Sequence, residues 1–217
     1  LLQWLINNGA NINDKNESGY NCILYASANG NLELIQWLLN YTRCTIANER
    51  TIDGKTCAML ASQKGCLNTV QFLLRNGNTV HEINSNGDTI LLISAASGQL
   101  EIIQWLLQNG STINERNYDN DTCLTIASRY GYLQLIEWLV TEFGCSLQEM
   151  SRFGTCIMQA ARNFQTETVI WMLKNGSSLD ENTTLDVFGN VIADESCKDI
   201  LKNNGLFEEV TQAMIGS

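Results

Sequence analysis

Residues 86–110 read NGDTILLISAASGQLEIIQWLLQNG and carry the signals for two helices joined by a tight turn. Thr89 suits the N-cap of the first helix, because its hydroxyl can accept a hydrogen bond from an amide of the first turn that has no partner within the helix. Gly98 can adopt the left-handed conformation that ends a short helix, and Gly110 can end the second helix in the same way. The stretch therefore predicts a helical hairpin.

The same hairpin recurs along the chain. One position of the repeat holds all five tryptophans, with a phenylalanine at the remaining place, and the intervals between these aromatic residues are 33, 35, 33, 33 and 33. They are Trp4, Trp37, Phe72, Trp105, Trp138 and Trp171. A fixed period of this size is typical of a stacked array in which each unit closes its core only against its neighbours.

Capping residues recur at matching places in the repeat. The predicted N-caps are Asn21, Thr56, Thr89, Thr122 and Thr155. The glycines predicted to end first helices are Gly30, Gly65, Gly98 and Gly131, and those predicted to end second helices are Gly9, Gly77, Gly110, Gly144 and Gly176. Phe164 stands where the glycine that ends the first helix of the last full repeat is expected. Local signals and the global period agree, which is the mark of a foldable sequence.

The aromatic ladder is predicted to be structural. On a helical wheel, Trp37 lies at the edge of the apolar arc that contains Ile35, Leu38 and Leu39. We therefore expect half-buried rings at the seam between second helices. An aromatic binding stripe is the alternative interpretation.

Charge disfavours some classes of partner. The 13 basic and 23 acidic residues leave a net charge of −10, which repels nucleic acid and anionic membranes. No stretch reaches the roughly 18 uninterrupted apolar residues of a membrane span, so no membrane insertion is expected. Acidic residues are concentrated after Ser177. That segment is either a solvated face or a docking site for a basic partner.

The eight cysteines are predicted to be reduced thiols. The sequence has no CxxC pair and one histidine, His81, so a zinc site is not expected. The repeat places Cys22, Cys57, Cys123 and Cys156 about one packed helix apart, roughly 10 Å, which exceeds the separation that a disulfide spans. Reduced thiols indicate a cytoplasmic location.

Catalytic signals are missing from the sequence. A Ser-His or Cys-His pair would have to use His81, the single histidine of the sequence. His81 is predicted to be a solvated loop residue. No phosphate-binding glycine loop or metal-ligand spacing occurs. We therefore expect no enzymatic activity, no cofactor, no metal and no small-molecule substrate.

The repeat resembles the ankyrin repeat family. The family pattern, a D-x-x-G-x-T-P-L-H turn and first helix followed by A-A-x-x-G-H and V-x-L-L-L, is similar to Asp53-Gly54-Lys55-Thr56, Ala61-Ser62-Gln63-Lys64-Gly65 and Val70-Gln71-Phe72-Leu73-Leu74. The proline and histidine of the T-P-L-H segment are absent from every unit. The resemblance implies an all-α ankyrin-repeat solenoid of stacked helix-turn-helix units with short β-hairpin-like turns.

The register divides the chain into units. We expect a single array over residues 1–217, made of a partial N-terminal repeat (1–16), five full repeats (17–50, 51–84, 85–117, 118–150 and 151–182) and a degenerate, acidic C-terminal capping repeat (183–217). Because the sequence starts without methionine and within a unit, we expect it to be a piece of something longer.

The resemblance also implies a function. In ankyrin arrays the turn tips and the exposed side of the first helix form a concave groove that binds a protein or peptide segment. Aromatic and arginine residues are common energetic anchors of interfaces. The residues predicted to bind a partner are Tyr20, Lys55, Asp88, Tyr118, Asp119, Asp121, Arg129, Tyr130, Arg152 and Phe153.

Two features of this binding site stay open. Tyr20 and Tyr118 either touch a partner or pack against the next turn. The acidic group Asp88, Asp119 and Asp121 beside the basic and aromatic group Arg129, Arg152 and Phe153 favours a partner whose charges run in the opposite order. Such an association is expected to be salt-sensitive.

A second functional hypothesis makes the chain the substrate-recruiting or targeting domain of a larger enzyme or of a secreted bacterial effector. Its asparagine-rich, proline-free composition resembles ankyrin proteins of intracellular bacteria, in which case the site of action would be the host cytosol.

Overall fold

The computed structural model describes residues 2–41, 46–179, 184–185, 191–193 and 196–215. Within these residues the chain forms thirteen helices and two pairs of very short strands, so the fold is all-α, as predicted. The chain divides into two units, Leu1–Ser111 and Thr112–Ser217.

The first unit contains one single helix and three helical hairpins. Its helices are α1 (Leu2–Asn7), α2 (Cys22–Ala28), α3 (Leu32–Tyr41), α4 (Cys57–Lys64), α5 (Leu67–Arg75), α6 (Ile90–Ala96) and α7 (Leu100–Gln108). The first helices of the hairpins pack side by side, α2 on α4 and α4 on α6, while the second helix α3 packs on α5. This is the stacking that the repeat period predicts.

The second unit contains three further hairpins. Its elements are α8 (Cys123–Tyr130), α9 (Leu133–Phe143), β1 (Met150–Ser151), β2 (Gly154–Thr155), α10 (Cys156–Arg162), α11 (Thr166–Lys174), β3 (Thr184–Leu185), β4 (Val191–Ala193), α12 (Cys197–Asn203) and α13 (Phe207–Ile215). The first helices again stack, with α8 on α10 and α10 on α12. The strands β1 and β2 form the antiparallel, β-hairpin-like turn that precedes α10.

First and second helices bury their side chains differently. In α4, six consecutive residues, Cys57–Ser62, are buried, because neighbouring helices cover this helix on several sides. In α7 only Ile102, Ile103 and Leu106 are buried, which is the spacing of a one-faced helix. The core of each unit therefore lies between its two layers of helices.

The aromatic ladder lies at the edge of the buried faces. Five of its members are half-buried, as expected for rings at a seam between helices: Trp37, Phe72, Trp105, Trp138 and Trp171. Trp4 differs from the prediction, since it is mostly exposed on the short helix α1.

Four of the five predicted N-caps are confirmed. The side chains of Asn21, Thr56, Thr89 and Thr122 each accept a hydrogen bond from the amide three residues further on. The prediction is wrong for Thr155, which has the extended backbone of a cap but makes no side-chain cap hydrogen bond. Its Oγ1 is buried without a hydrogen-bond partner.

The helix-ending glycines have the left-handed backbone that their positions predict. All nine have positive φ angles, and Gly65 and Gly131 are themselves the C-caps of α4 and α8. At the position without glycine, Phe164 adopts the same conformation with φ of 60°. A non-glycine residue is strained there because its Cβ approaches the following carbonyl oxygen.

The last hairpin of the second unit is C-terminal. Helix α12 packs on α10, and α13 packs on α11. Residues 180–183, 186–190 and 194–195, which include most of the acidic segment, lie outside the described residues. Arg43 and Cys44, on the connection from α3 to α4, do so as well. The capping role of residues 183–217 stays a prediction.

Candidate protein-binding surface

In three of the described turns between hairpins, the side chain of an asparagine at the start of the turn organises the backbone. In the turn before α8, Oδ1 of Asn117 accepts hydrogen bonds from the amides of Asp119 (3.0 Å) and Asp121 (2.9 Å). Asn16 and Asn84 do the same in their own turns. Such turns are a common role of asparagine, whose side chain can replace a backbone hydrogen-bonding group. The turns thus hold their tip residues in place before any partner arrives.

Backbone hydrogen bonds join neighbouring turns within each unit. In the second unit, the amide of Arg152 donates to the carbonyl oxygen of Asp119 at 2.9 Å. In the first unit, the amide of Ile52 donates to Ser18 at 3.2 Å and that of Ser85 to Asp53 at 3.0 Å. The spacing of tip side chains is therefore set by main-chain contacts.

A polar network links the two hairpins at the start of the second unit. Nη2 of Arg129 donates to both carboxylate oxygens of Asp121, at 2.8 and 2.7 Å, and Nε donates to Oε1 of Gln159 at 2.9 Å. Gln159 in turn donates from Nε2 to Oγ of Ser151 at 2.9 Å. Asp121 and Gln159 are both only 1% exposed. The network holds the guanidinium of Arg129 in one orientation.

Phe153 covers this network from the turn. The guanidinium carbon of Arg129 lies 4.8 Å from the centre of the Phe153 ring, within the range of a cation–π contact. Nη1 of Arg162 donates a hydrogen bond to the carbonyl oxygen of Phe153. Arg129, Phe153, Gln159, Arg162 and Asn163 line a pocket of about 300 Å³.

Further side chains of these two turns and of α8 are exposed. Nη1 of Arg152 lies 3.3 Å from Oδ1 of Asp119, in an ion pair open to solvent. Tyr118, next to Asp119 in the turn, is 67% exposed. Tyr130, at the end of α8, is also exposed and stacks on Tyr132 with ring centres 6.0 Å apart.

Seven of the ten predicted binding residues belong to the second unit. The structure pairs Asp121 with Arg129, Asp119 with Arg152, and Arg129 with Phe153. The acidic and basic groups of this unit thus neutralise one another within the chain. The buried carboxylate of Asp121 accepts hydrogen bonds from the guanidinium of Arg129. We use the name tip surface for the six that reach solvent: Tyr118, Asp119, Arg129, Tyr130, Arg152 and Phe153.

The other three predicted residues lie on separate turns of the first unit. The Tyr20 ring packs on Tyr25 with ring centres 5.0 Å apart, and both rings line a pocket of about 620 Å³. A carboxylate oxygen of Asp88 accepts a hydrogen bond from Nδ2 of Asn84 at 3.0 Å. Tyr20 therefore packs on the first helix of its own hairpin rather than on the next turn, and its contact with a partner stays a prediction.

Lys55 is paired with a neighbour on its turn. Its Nζ lies 3.0 Å from Oδ2 of Asp53. Burial raises the pKa of Asp53, but hydrogen bonds from Thr51 and Lys55 outweigh burial, so the pKa is lowered overall. The lysine charge is therefore partly neutralised before it meets any partner.

Sequence reasoning missed Gln159. It lies four residues after the N-cap position Thr155. Three of the other four full hairpins place an apolar core residue there: Leu60, Ile93 and Ile126. A polar residue at an apolar register was the signal that could have identified it. Tyr25 occupies the same register, and its ring is exposed.

Other predicted features have definite places in the described residues. His81 is exposed, as expected of a loop histidine. Seven cysteines of the described residues form no disulfide. No group of three or more His, Cys, Asp or Glu residues is placed to hold a metal ion in this part of the chain.

In the part of the chain that the structure describes, none of the helices is long and apolar enough to cross a bilayer.

Comparisons with known proteins agree with the repeat architecture. A search of curated proteins gives no match. The family model for ankyrin repeats, in three copies, matches residues 1–83 and also residues 59–151. Together these matches span residues 1–151, which is more than half of the 217 residues. The chain belongs to the ankyrin repeat family.

Proposed function

We propose that this chain is a non-catalytic module that binds a segment of a partner protein through the tip surface of its second unit. Ankyrin repeats are generally protein–protein interaction modules. The observation that carries the proposal is the combination of exposed aromatic rings, Tyr118, Tyr130 and Phe153, with an arginine held by buried acceptors.

Two physical properties of the tip surface support binding. Tyrosine, phenylalanine and arginine supply large contact areas and are frequent energetic anchors. Arg129 is already fixed by Asp121 and Gln159, so little conformational entropy is lost when it contacts a partner.

The charges of the tip surface indicate which partner segments would be complementary to it. Asp119 and Arg152 lie side by side in an ion pair, so a complementary segment would place a basic and an acidic group in the opposite order. Exposed ion pairs are screened by salt. Association is therefore expected to weaken as ionic strength rises.

The proposal includes the kind of partner and the compartment. A net charge of −10 disfavours nucleic acid, so the partner is a protein. The seven described cysteines form no disulfide, which favours a reducing compartment such as the cytosol. Recruitment of a substrate for a catalytic domain elsewhere in a longer protein would use the same surface, and that role stays a prediction.

Affinity capture with matched variants tests the proposal. Phe153→Ala removes an exposed ring from the tip surface, and Phe143→Ala removes a ring of similar exposure from the end of α9, 41% against 44% exposed. Partners captured by the unaltered chain should fall about tenfold or more with Phe153→Ala, as is usual for an interface anchor. Equal capture by both variants would count against the tip surface.

A further inference from the structure

The pocket beside Phe153 has mostly apolar walls, although four of its five lining residues are polar. The ring of Phe153 supplies one apolar wall. Arginine side chains present methylene groups along most of their length and carry their charge only at the end. Walls of this kind favour an apolar occupant over a charged one.

The polar groups of Arg129 and Gln159 are already paired within the chain. The buried carboxylate of Asp121 neutralises the guanidinium of Arg129 at 2.7 Å. Both ends of the Gln159 amide are used, since Oε1 accepts from Nε of Arg129 and Nε2 donates to Oγ of Ser151. A polar ligand group would have to compete with these hydrogen bonds, whereas an apolar group leaves them intact.

Arg162 and Asn163 have hydrogen-bond acceptors within their own hairpin. Nη1 of Arg162 donates to the carbonyl oxygen of Phe153. Nδ2 of Asn163 donates to the carbonyl oxygen of Gln159 at 2.8 Å. These bonds hold the remaining walls of the pocket in place without a ligand.

The size and position of the pocket suit one side chain of a bound segment. Its volume of about 300 Å³ is at the lower end of the range for small-ligand sites. Phe153 is 41% exposed and Asn163 is exposed, so the pocket opens to solvent. Because Phe153 belongs to the tip surface, the pocket is continuous with the surface proposed to bind the partner.

We propose that this pocket binds an apolar side chain of the partner segment, such as that of leucine. The inference rests on the proposed function and adds the chemistry of one anchor. Burial of such a side chain raises affinity by a factor of about ten to a hundred. Since salt screens charges but not apolar contacts, this contribution is independent of ionic strength, unlike that of the ion pair between Asp119 and Arg152.

The test is a selection of random peptides on the full chain, followed by fluorescence anisotropy of the peptides that bind. Each apolar position of a selected peptide is replaced by alanine in turn. One of these replacements should weaken binding to the unaltered chain about tenfold or more. The factor should be the same at low and high salt.

Asn163→Phe and Asn175→Phe form a matched pair of variants. Both asparagines are exposed C-caps, of α10 and α11, and each donates from Nδ2 to the carbonyl oxygen four residues earlier at 2.8 Å. Asn163 lines the pocket and Asn175 does not. A ring at position 163 fills the pocket, so the alanine replacement in the peptide should then cost about threefold or less. On Asn175→Phe the full cost should remain.

The outcomes distinguish this inference from the proposed function. Peptides that need Tyr118 and Phe153, but whose apolar residues matter equally on Asn163→Phe and on the unaltered chain, would overturn the pocket and leave the tip surface standing. A peptide whose coupled residue is acidic or polar would overturn the apolar chemistry. Peptides unaffected by Tyr118→Ala and Phe153→Ala, or a library that yields no binder, would count against both proposals.

Discussion

Nη2 of Arg129 lies 2.7 Å from Oδ2 of Asp121, a carboxylate that is almost completely buried. The two residues come from the start and the end of one short segment, the turn before α8 and the last turn of α8 itself. Their ion pair ties the tip to the helix and places the guanidinium under Phe153. The Arg129 guanidinium of the tip surface is therefore held in place by Asp121, a buried residue that a partner does not contact.

Asp121→Asn should lower the stability of the folded chain. The substitution leaves the guanidinium of Arg129 partly buried without its compensating charge, which costs about 2 kcal/mol in the free energy of unfolding. Urea denaturation followed by circular dichroism measures the change.

Asp119→Asn is the matched control for that substitution. Its ion pair with Arg152 is open to solvent, and such pairs contribute about 0.5 kcal/mol or less. Equal losses for the two variants would show that the buried pair has no special role.

The helices were largely predictable because their signals are local. Thr89 caps α6, and Gly98 takes the left-handed conformation just after that helix. Both roles depend on residues a few positions away, so the residue types alone indicate the structure. The network of Arg129 was not predictable in this way. It depends on Gln159, 30 residues further along the chain, and on the side-chain conformations of both residues.

The position of Asp121 shows the same limit. The repeat register places it next to the N-cap, where a partner contact was predicted, but its side chain turns inward to Arg129 and Thr125. Tyr118, three residues earlier, faces solvent. Register identifies which residues lie near the tips, whereas packing of the neighbouring hairpin decides which of them are exposed.

Phe164→Gly should stabilise the chain. Phe164 has a positive φ of 60° and a ring that is 62% exposed, so glycine relieves backbone strain at little loss of packing. The expected gain is about 1 kcal/mol, measured by the urea midpoint. Phe164→Ala retains a Cβ and should give no comparable gain; a Gly variant no more stable than the Ala variant would refute the strain.

The threonine caps should respond differently to loss of the hydroxyl. Oγ1 of Thr122 accepts from the amide of Thr125 and donates to Glu149, so Thr122→Val should cost about 1–2 kcal/mol. Oγ1 of Thr155 is buried without a partner, so Thr155→Val should be neutral or slightly stabilising. Thermal unfolding of the two variants checks the contrast, and equal losses would contradict it.

Cys145 should react slowly with alkylating reagents at neutral pH. Burial raises the pKa of its thiol from 9.0 to about 11, and the nearby carboxylate of Glu149 adds to the effect. Since the thiolate is the nucleophile, the rate of iodoacetamide alkylation, followed by peptide mass spectrometry, should rise with an inflection near pH 11.

The same shift affects stability at high pH. The unfolded chain loses this proton near pH 9 while the folded chain keeps it to about pH 11, so the contribution of the thiol to stability is complete below pH 9 and is lost as pH rises through 11. In concentrated urea the alkylation inflection should return to about pH 9. An inflection near pH 9 in the folded chain would contradict the assigned burial.

Site-specific photo-crosslinking tests the tip surface most directly. A benzophenone amino acid is placed at Tyr118 or, as a control, at Tyr41 on the second helix α3; the two side chains are 67% and 73% exposed. In cells that express the full-length protein, position 118 should yield one discrete protein adduct that disappears with Phe153→Ala, while position 41 yields none. The same adduct from position 41 alone, or one from 118 that Phe153→Ala leaves unchanged, would contradict binding through the tip surface.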